Sequence, residues 1–493
     1  MKRNTWLFWL VLLQTSLLPT LPRAQSSDSD ISSLFSNPGL ATPCLPSSSK
    51  PASLPSRCMD VHQSFLPLSP LDDARTLIVG YHPDAEDFIA DLARALTEES
   101  TLREQHLLVL IPQGQLERTR RILTSKPELK LLHRQQRLDL RSTRDSNNTW
   151  MQDAFELGWE PFSQQPKILD LPHFESDRAA QSLSASCGLP RLDPEPGLET
   201  PGLNWSEASK GDSRNHGGNW EAFPGGILAT LREPDLRLRG TFEKNSPELE
   251  ILALNIDWLE VGHIDEVFSV IPRPDTPGPA SCQFAILAAS PGRAIEALSS
   301  SHQDSPIEPE LSHAHPKVNQ APEMELGCIS RLADARTGRP LRSREARACR
   351  KLIQVNREYQ TLIERQLAIL LERVEQKTGC TDIPVLQLPI LFRPAHRMSN
   401  ESWEKAQTLK VPPTSRWRQA SAINPNPING ISLNETQVVP AQPHPAFKAA
   451  IQAEFESKSN GTRLRWIDTP HVHFLGGEAH CGTNVIRTCT SGN

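Results

Sequence analysis

The chain has 493 residues, a mild net charge of −6 spread along its length, and 37% aliphatic and aromatic residues. That composition can fill one large core or two to three ordinary ones, and without a basic stripe it gives no sign of a nucleic-acid partner. Proline, at 43 residues, exceeds the usual ~5% but is clustered, so it marks loops and insertions rather than a disordered chain.

Residues 1–26 read as a secretory signal. Lys2 and Arg3 give a basic start, residues 6–18 an apolar run, and Ala24-Gln-Ser26 a small-x-small cleavage site. The run breaks at Gln14 and Pro19, short of the ~20 apolar residues a spanning helix needs, so no membrane span is expected after cleavage. Secreted or periplasmic localisation follows as the expectation. Residues 27–72, rich in Ser and Pro, read as a tail, and 73–493 as the folded domain. Within it, 76–80 is a short buried-strand pattern, 84–96 a helix, 106–111 a strand, 116–123 a helix and 129–133 a third strand. Residues 168–171, 251–255 and 284–289 add strands, and the alternation predicts the α/β class. Residues 343–377 form one long amphipathic helix, which core packing explains. Residues 299–322 and 393–445 read as polar insertions.

Nine cysteines in an exported chain imply an oxidising compartment, and the odd count leaves at least one thiol unpaired. Cys44 with Cys58, and Cys328 with Cys349, are the expected local pairs. Asn-x-Ser/Thr sites at Asn147, Asn204, Asn400, Asn434 and Asn460 are glycan acceptors in a host with that machinery.

Chemistry concentrates in three blocks where polar residues interrupt apolar sequence: 148–159, 257–268 and 476–487. In the last, Cys481 sits in a glycine-rich turn after Glu478 and His480. A nucleophilic thiolate, a disulfide with Cys489, and a metal site using His471, His473, His480 and Cys481 are its three readings, although that spacing matches no common zinc pattern. In the second block, His263 and Asp265 lie two apart, which in a strand puts both on one face with Val261. A single histidine there is ordinarily a core residue, and a protease-like triad uses one aspartate, leaving Asp153 unexplained. Two carboxylates, Asp153 and Asp265, beside the aromatic Trp150 suit a planar guanidinium, which pairs with carboxylates and stacks on indole.

Trp150-Met-Gln-Asp153, Val261-Gly-His-Ile-Asp-Glu266 and His480-Cys-Gly-Thr-Asn-Val485 resemble, in order and rough spacing, the catalytic blocks of the peptidylarginine deiminases. The likeness runs with gaps from Thr76 to Arg487, through Val355-Asn-Arg-Glu-Tyr359 and Asp382-Ile-Pro384. It implies a pseudo-symmetric α/β propeller of ββαβ units around a central site. It also implies a hydrolase that converts arginine in a protein or peptide to citrulline. Asp153 and Asp265 would hold the guanidinium, Cys481 would attack it, and His263 would act as acid and then base. Calcium is implied too, held by Gln152, Glu156 and Glu221 side chains and by the Gly217 and Trp220 carbonyls, the 217–221 segment resembling the family's Phe-Gly-Asn-Leu-Glu. Glu156 and Glu221 could instead be ordinary surface charges.

The sequence departs from the family at several points. Ala154 stands where a Glu follows the catalytic Asp, so a neighbouring calcium site is expected to be weak or absent. Leu475 stands where animal members carry an arginine, and the sequence before residue 76 is too short for their immunoglobulin-like domains. A deiminase or amidinotransferase for small guanidino compounds, a binding protein that keeps the fold without turnover, and a thiol peptidase are the competing readings.

Overall fold

Short apolar runs of strand length alternate with amphipathic helices, and each pairing of the two buries a face that neither could cover alone. The computed structural model describes residues 63–143, 150–171, 179–193, 217–231, 236–300, 328–329, 343–394, 420–469, 472–473 and 477–489. These lie in one compact unit, Pro43–Asn493. The expected signal segment, most of the expected tail, the expected Cys44–Cys58 pairing, Asn147, Asn204, Asn400, His471, Leu475 and most of the 299–322 tract lie outside the described residues.

After β1 (Leu66–Pro67), the chain forms β2 (Asp73–Gly80), α1 (Glu86–Glu98), β3 (His106–Pro112), α2 (Leu116–Leu123), α3 (Pro127–Arg134) and β4 (Leu138–Thr143). Strands β2, β3 and β4 are parallel neighbours. A second unit follows a short helix, α4 (Met151–Ala154). It consists of β5 (Phe155–Glu160) antiparallel to β6 (Gln165–Asp170), then α5 (Ala179–Cys187), then β7 (Arg191–Leu192) parallel to β6.

The same order recurs. Strands β8 (Trp220–Phe223) and β9 (Ile227–Thr230) are antiparallel, α6 (Leu236–Asn245) follows, and β10 (Glu250–Ala253) returns parallel to β9. Strand β11 (Phe268–Pro272) pairs antiparallel with β12 (Phe284–Ser290). Helices α7 (Pro291–Ser300) and α8 (Ser343–Thr378) lead to β13 (Val385–Pro389), parallel to β12. Past the hairpin-like pair β14 (Phe392–Pro394) and β15 (Ala420–Ala422), β16 (Ile431–Leu433) and β17 (Thr436–Pro440) are antiparallel. Helix α9 (Pro445–Lys458) then leads to β18 (Arg463–Ile467), parallel to β17.

The last strand, β19 (Thr483–Thr488), runs antiparallel to β2 and completes the first unit from the far end of the sequence. Among the described residues the architecture is therefore five ββαβ units, one of them assembled from both ends of the domain. The expected α/β alternation holds, and the ββαβ repeat implied by the resemblance is present in the strand pairings.

Four expectations need correction. Residues 129–133 are not a strand but lie in α3: Pro127 opens the helix, Glu128 favours its first turn, and Leu129 and Leu132, one turn apart, are both fully buried. The third strand is β4 instead. The His263–Asp265 segment is also not a strand. Residues 264–266 form a 3-10 turn because the Glu266 carboxylate accepts the N–H groups of Gly262 (3.0 Å) and His263 (2.9 Å). The 393–445 tract is not wholly an insertion, since residues 420–445 carry three strands and buried Asn424, Asn426 and Asn429. Residues 63–72, placed with the tail, pack into the fold: Phe65 and Asp72 are fully buried, and β1 pairs with β5.

The largest core cluster joins β9, β11, β12 and β13 to the inner face of α8, through Tyr359, Ile363, Leu367, Leu370 and Val374. Cys328–Cys349 is disulfide-bonded as expected, and Cys282–Cys380 is a second disulfide. Among the described residues, no helix is long and apolar enough to cross a membrane. Leu370 is fully buried on α8. Leu370→Ala is expected to lower unfolding stability by about 2–5 kcal/mol, read by urea denaturation; an unchanged midpoint would refute the core assignment.

Candidate active site

Each unit delivers the segment that precedes its first antiparallel strand to a common place. Helix α4, before β5, brings Gln152 and Asp153, and the 3-10 turn Gly217–Asn219, before β8, brings backbone. The turn before β11 brings His263 and Asp265, residues 424–429 before β16 bring three asparagines, and residues 477–482 before β19 bring Glu478, His480 and Cys481. Chain entry into a strand is where side chains are released from ladder alternation, so residues far apart in sequence can face one another there.

Cys481 is a free, buried thiol. Cys489 is disulfide-bonded elsewhere, which removes the Cys481–Cys489 reading. One ligand atom each from His263, Asp265 and Cys481 lies within 4.8 Å of the others. Asp265 Oδ2 is 3.8 Å from the sulfur. Asp153 joins them, with Oδ1 3.6 Å from His263 Nε2. Among the described residues, Asp265 Oδ1 is buried with no hydrogen-bond partner, leaving an unused acceptor on this carboxylate.

Two glycines permit this approach. A Cβ on Gly218 would stand 2.4 Å from His263 Nδ1 and 3.1 Å from Asp153 Oδ1. A Cβ on Gly477 would stand 2.4 Å from the Trp150 ring and 3.1 Å from Cys481 Cβ, which puts the Trp150 indole beside the Cys481 turn.

His480, which the metal reading paired with Cys481, instead bonds Asp265 Oδ2 through Nδ1 at 2.7 Å. Burial works to lower its pKa, but the hydrogen bond and charge of Asp265, with Glu221 and Glu156, more than offset this and hold it above its ordinary value. His473 Nδ1 pairs with Glu478 Oε1. These histidines are committed to carboxylates and do not converge on the sulfur.

Burial pushes the Cys481 thiol well above its usual range, and the charges of Asp265, Asp153 and Glu266 add to the effect.

A second group lies beside the first. Glu221 is buried and Glu156 is half-buried, so neither is an ordinary surface charge. Burial pushes Glu156 up to about 8, opposed by His480 and reinforced by Glu221. Burial likewise pushes Glu221 up to about 7, opposed by His480 and reinforced by Asp265. Gln152 Nε2 donates to Glu156 at 3.2 Å, Ser269 Oγ donates to Glu221 at 3.0 Å, and a Cβ on Gly217 would lie 2.0 Å from the Gln152 carbonyl oxygen. The Trp220 side chain is core, set edge-on against Phe242 at 5.2 Å. Ala154 packs in an apolar cluster with Met151, Phe155, Ile78 and Ile486, with no carboxylate at that position.

Sequence reasoning missed the residues that hold these groups. Glu266 caps the His263 turn, Asn426 Nδ2 donates to the Glu266 carbonyl at 2.8 Å, and Asn426 N–H donates to Glu478 at 3.0 Å. Glu478 also accepts from Thr469 at 2.9 Å. Asn429 contacts Cys481 directly, with Nδ2 3.1 Å from the sulfur. The one available signal was the density of asparagine in 424–429, within a tract read as an insertion.

The model of the family described as protein-arginine deiminase matches residues 244–492. Human protein-arginine deiminase type-3 is 24% identical over 364 residues, covering 69% of this chain and 46% of its own length. The Rattus norvegicus type-3 protein is 25% identical over 362 residues, with the same coverage. Among solved structures, an agmatine deiminase of Enterococcus faecalis aligns with a TM-score of 0.44 at 13% identity, covering 87% of this chain and 97% of that one. The chain belongs to the protein-arginine deiminase family. It spans about half the length of the curated relatives it matches.

The buried acids make a pH signature. The folded Glu156 and Glu221 retain protons that the unfolded chain releases near the ordinary value of 4.5, so stability is full below that pH and falls as pH rises through about 7 and about 8. In chelator, Glu156→Gln is expected to melt higher than wild type at pH 8 and equally at pH 5. Equal melting at pH 8 would remove the buried-acid assignment.

Proposed function

We propose that the protein is a secreted, calcium-assisted hydrolase that converts arginine residues of proteins or peptides to citrulline. The observation that carries this reading is a buried thiol meeting one imidazole and two carboxylates, Asp265 near the sulfur and Asp153 near His263. A guanidinium is a weak electrophile because its charge is delocalised. Two carboxylates can grip its N–H groups, and its positive charge offsets the carboxylate field that keeps Cys481 protonated.

In the first half-reaction Cys481 passes its proton to His263, and the resulting thiolate adds to the central guanidinium carbon, forming a C–S bond. His263 donates a proton to one terminal nitrogen as the C–N bond breaks, and ammonia leaves. Neutral His263 then takes a proton from water as its oxygen adds to the same carbon. Collapse breaks the C–S bond, returns the electron pair to sulfur and releases the hydroxyl proton to the departed ammonia, leaving the ureido group; His263 then returns its proton to the sulfur. Trp150, beside the Cys481 turn, supplies a stacking face for the planar substrate.

Calcium fits the oxygen donors at Glu156 and Glu221, with Gln152 and the Gly217 and Trp220 carbonyls completing the proposed set. The supporting geometry is the pair of inward carboxylates, half-buried Glu156 bonded by Gln152 and buried Glu221 bonded by Ser269, whose negative charge a hard cation would offset. The thiol and imidazole group is the wrong donor type for that ion. Bound, calcium would supply positive charge beside Gln152, whose N–H donates to the Cys481 carbonyl at 3.3 Å.

The five ββαβ units, with β19 returning to β2, support a ring-like propeller arrangement around this site. The disulfides Cys282–Cys380 and Cys328–Cys349 support an oxidising, extracellular or periplasmic location.

The test is citrulline formation from an N-blocked arginine ester and from free arginine, with calcium taken from chelated to millimolar. The blocked substrate and rising calcium are expected to give the faster rate, and Cys481→Ser at least about a 1,000-fold loss. Preference for free arginine would shift the reading to small guanidino compounds, and no product from either would leave a binding protein. Gly218→Ala, which presses a methyl into His263, is expected to lower kcat about 100-fold with the fold intact by circular dichroism; unchanged kcat would contradict the placement of His263.

A further inference from the structure

We infer that Asn429 is a catalytic residue, its side-chain amide donating to the Cys481 sulfur whenever that atom carries negative charge. The inference rests on the reading of Cys481 as the nucleophile and adds a residue to that site.

Asn429 Nδ2 lies 3.1 Å from Sγ in a buried contact. The orientation of the amide follows from its other end. Asn429 Oδ1 is 3.2 Å from the backbone nitrogen of Cys481, which can only donate, so the oxygen faces the backbone and the NH2 faces the sulfur. The Asn429 carbonyl in turn accepts the His480 N–H at 3.1 Å. One residue therefore holds the backbone of the nucleophile's turn at two points and its reactive atom at a third. The next residue allows no drift: a Cβ on Gly430 would stand 2.6 Å from the Val438 carbonyl oxygen, so the backbone entering β16 is tightly packed.

The surroundings explain why a neutral donor suits this position. Asp265 and Asp153 face the same space, and a lysine or arginine near the sulfur would pair with them and occupy the place of a guanidinium. An amide offers an N–H without a competing charge. The interaction strengthens at two moments, when the thiol has lost its proton before the C–S bond forms, and when the breaking C–S bond returns its electron pair to sulfur. Asn429 also occupies the topological place, just before a unit's first strand, from which the other units supply Asp153, the 217–219 backbone, His263 with Asp265, and Cys481.

The test compares the full chain with Asn429→Asp and Asn429→Ala. It measures iodoacetamide labelling of the Cys481 peptide by mass spectrometry at one fixed pH, and kcat and KM for an N-blocked arginine ester. Asn429→Asp keeps the size and the acceptor for the Cys481 N–H but loses the donor. It is expected to slow labelling about tenfold and lower kcat about 100-fold, with KM within about threefold. Asn429→Ala is expected to lose as much. Should the carboxylate variant fail to fold, Asn429→Ser, whose hydroxyl is too short to make the same bond, is expected to show the same losses. Labelling and kcat within about twofold of wild type in the folded variants would overturn the inference. Labelling is independent of substrate. If wild type yields no citrulline while the variants still label slowly, the proposed reaction fails and the Asn429–sulfur interaction stands.

Discussion

A cluster of buried and half-buried carboxyl groups is the constraint around which the site is organised. Asp265 acts on Cys481 and Glu221, Glu221 acts on Glu156, and Asp153 and Glu266 add to the field at the sulfur. Ionised carboxylates in an interior are costly unless paired, and removing one partner leaves the other exposed to the full penalty. His480, whose pKa is raised by its bond to Asp265, and Arg487 lie near these carboxylates and partly balance them. Arg487 is lowered by burial to about 10 and remains charged at neutral pH, donating to the carbonyls of Pro70, Asp72 and Ser432. A cationic substrate and a cationic metal would both lower the energy of this arrangement, which is why one charge pattern underlies both proposals.

The second dependence is positional. The site is assembled from five separated segments, so its geometry is only as good as the bonds that tie them together. Glu266 and Asn426 bridge the His263 turn to the segment before β16, Asn426 and Glu478 bridge that segment to the Cys481 loop, and Gln152 bonds the Cys481 carbonyl. Each link is 3.3 Å or shorter, and the side-chain links are buried or half-buried. Such second contacts fix rotamers that the reacting side chains could not hold alone in solution.

Much of this was legible in sequence because local rules govern it. Residues 343–378 form a helix as their spacing demands, the apolar runs near residues 76, 106 and 284 form strands, and Asp382 adopts a left-handed φ of 56° in the turn before β13. Asp153, His263, Asp265 and Cys481 were marked by polar residues set in apolar blocks. The failures had physical causes as well. The 129–133 run carries alternating apolar residues too short to separate the two periods, and Pro127 decided for helix. The 261–266 block reads as a strand until Glu266 folds back on its own backbone. The 424–429 asparagines look like loop composition because polar residues ordinarily seek water, and only a buried partner shows otherwise.

The sequence by itself determined the inventory: an odd thiol, an isolated histidine, carboxylates beyond what a triad needs, and alternating strands and helices. Those are properties of single residues and short periods. Tertiary structure alone decided that Cys481 stays free of Cys489, that His480 serves Asp265 rather than the thiol, that Glu156 and Glu221 are enclosed, and that Asn429 touches the sulfur. Each of these depends on contacts across tens to hundreds of residues, set when β19 pairs with β2 and the strand entries are brought together, and no local pattern encodes such a distance.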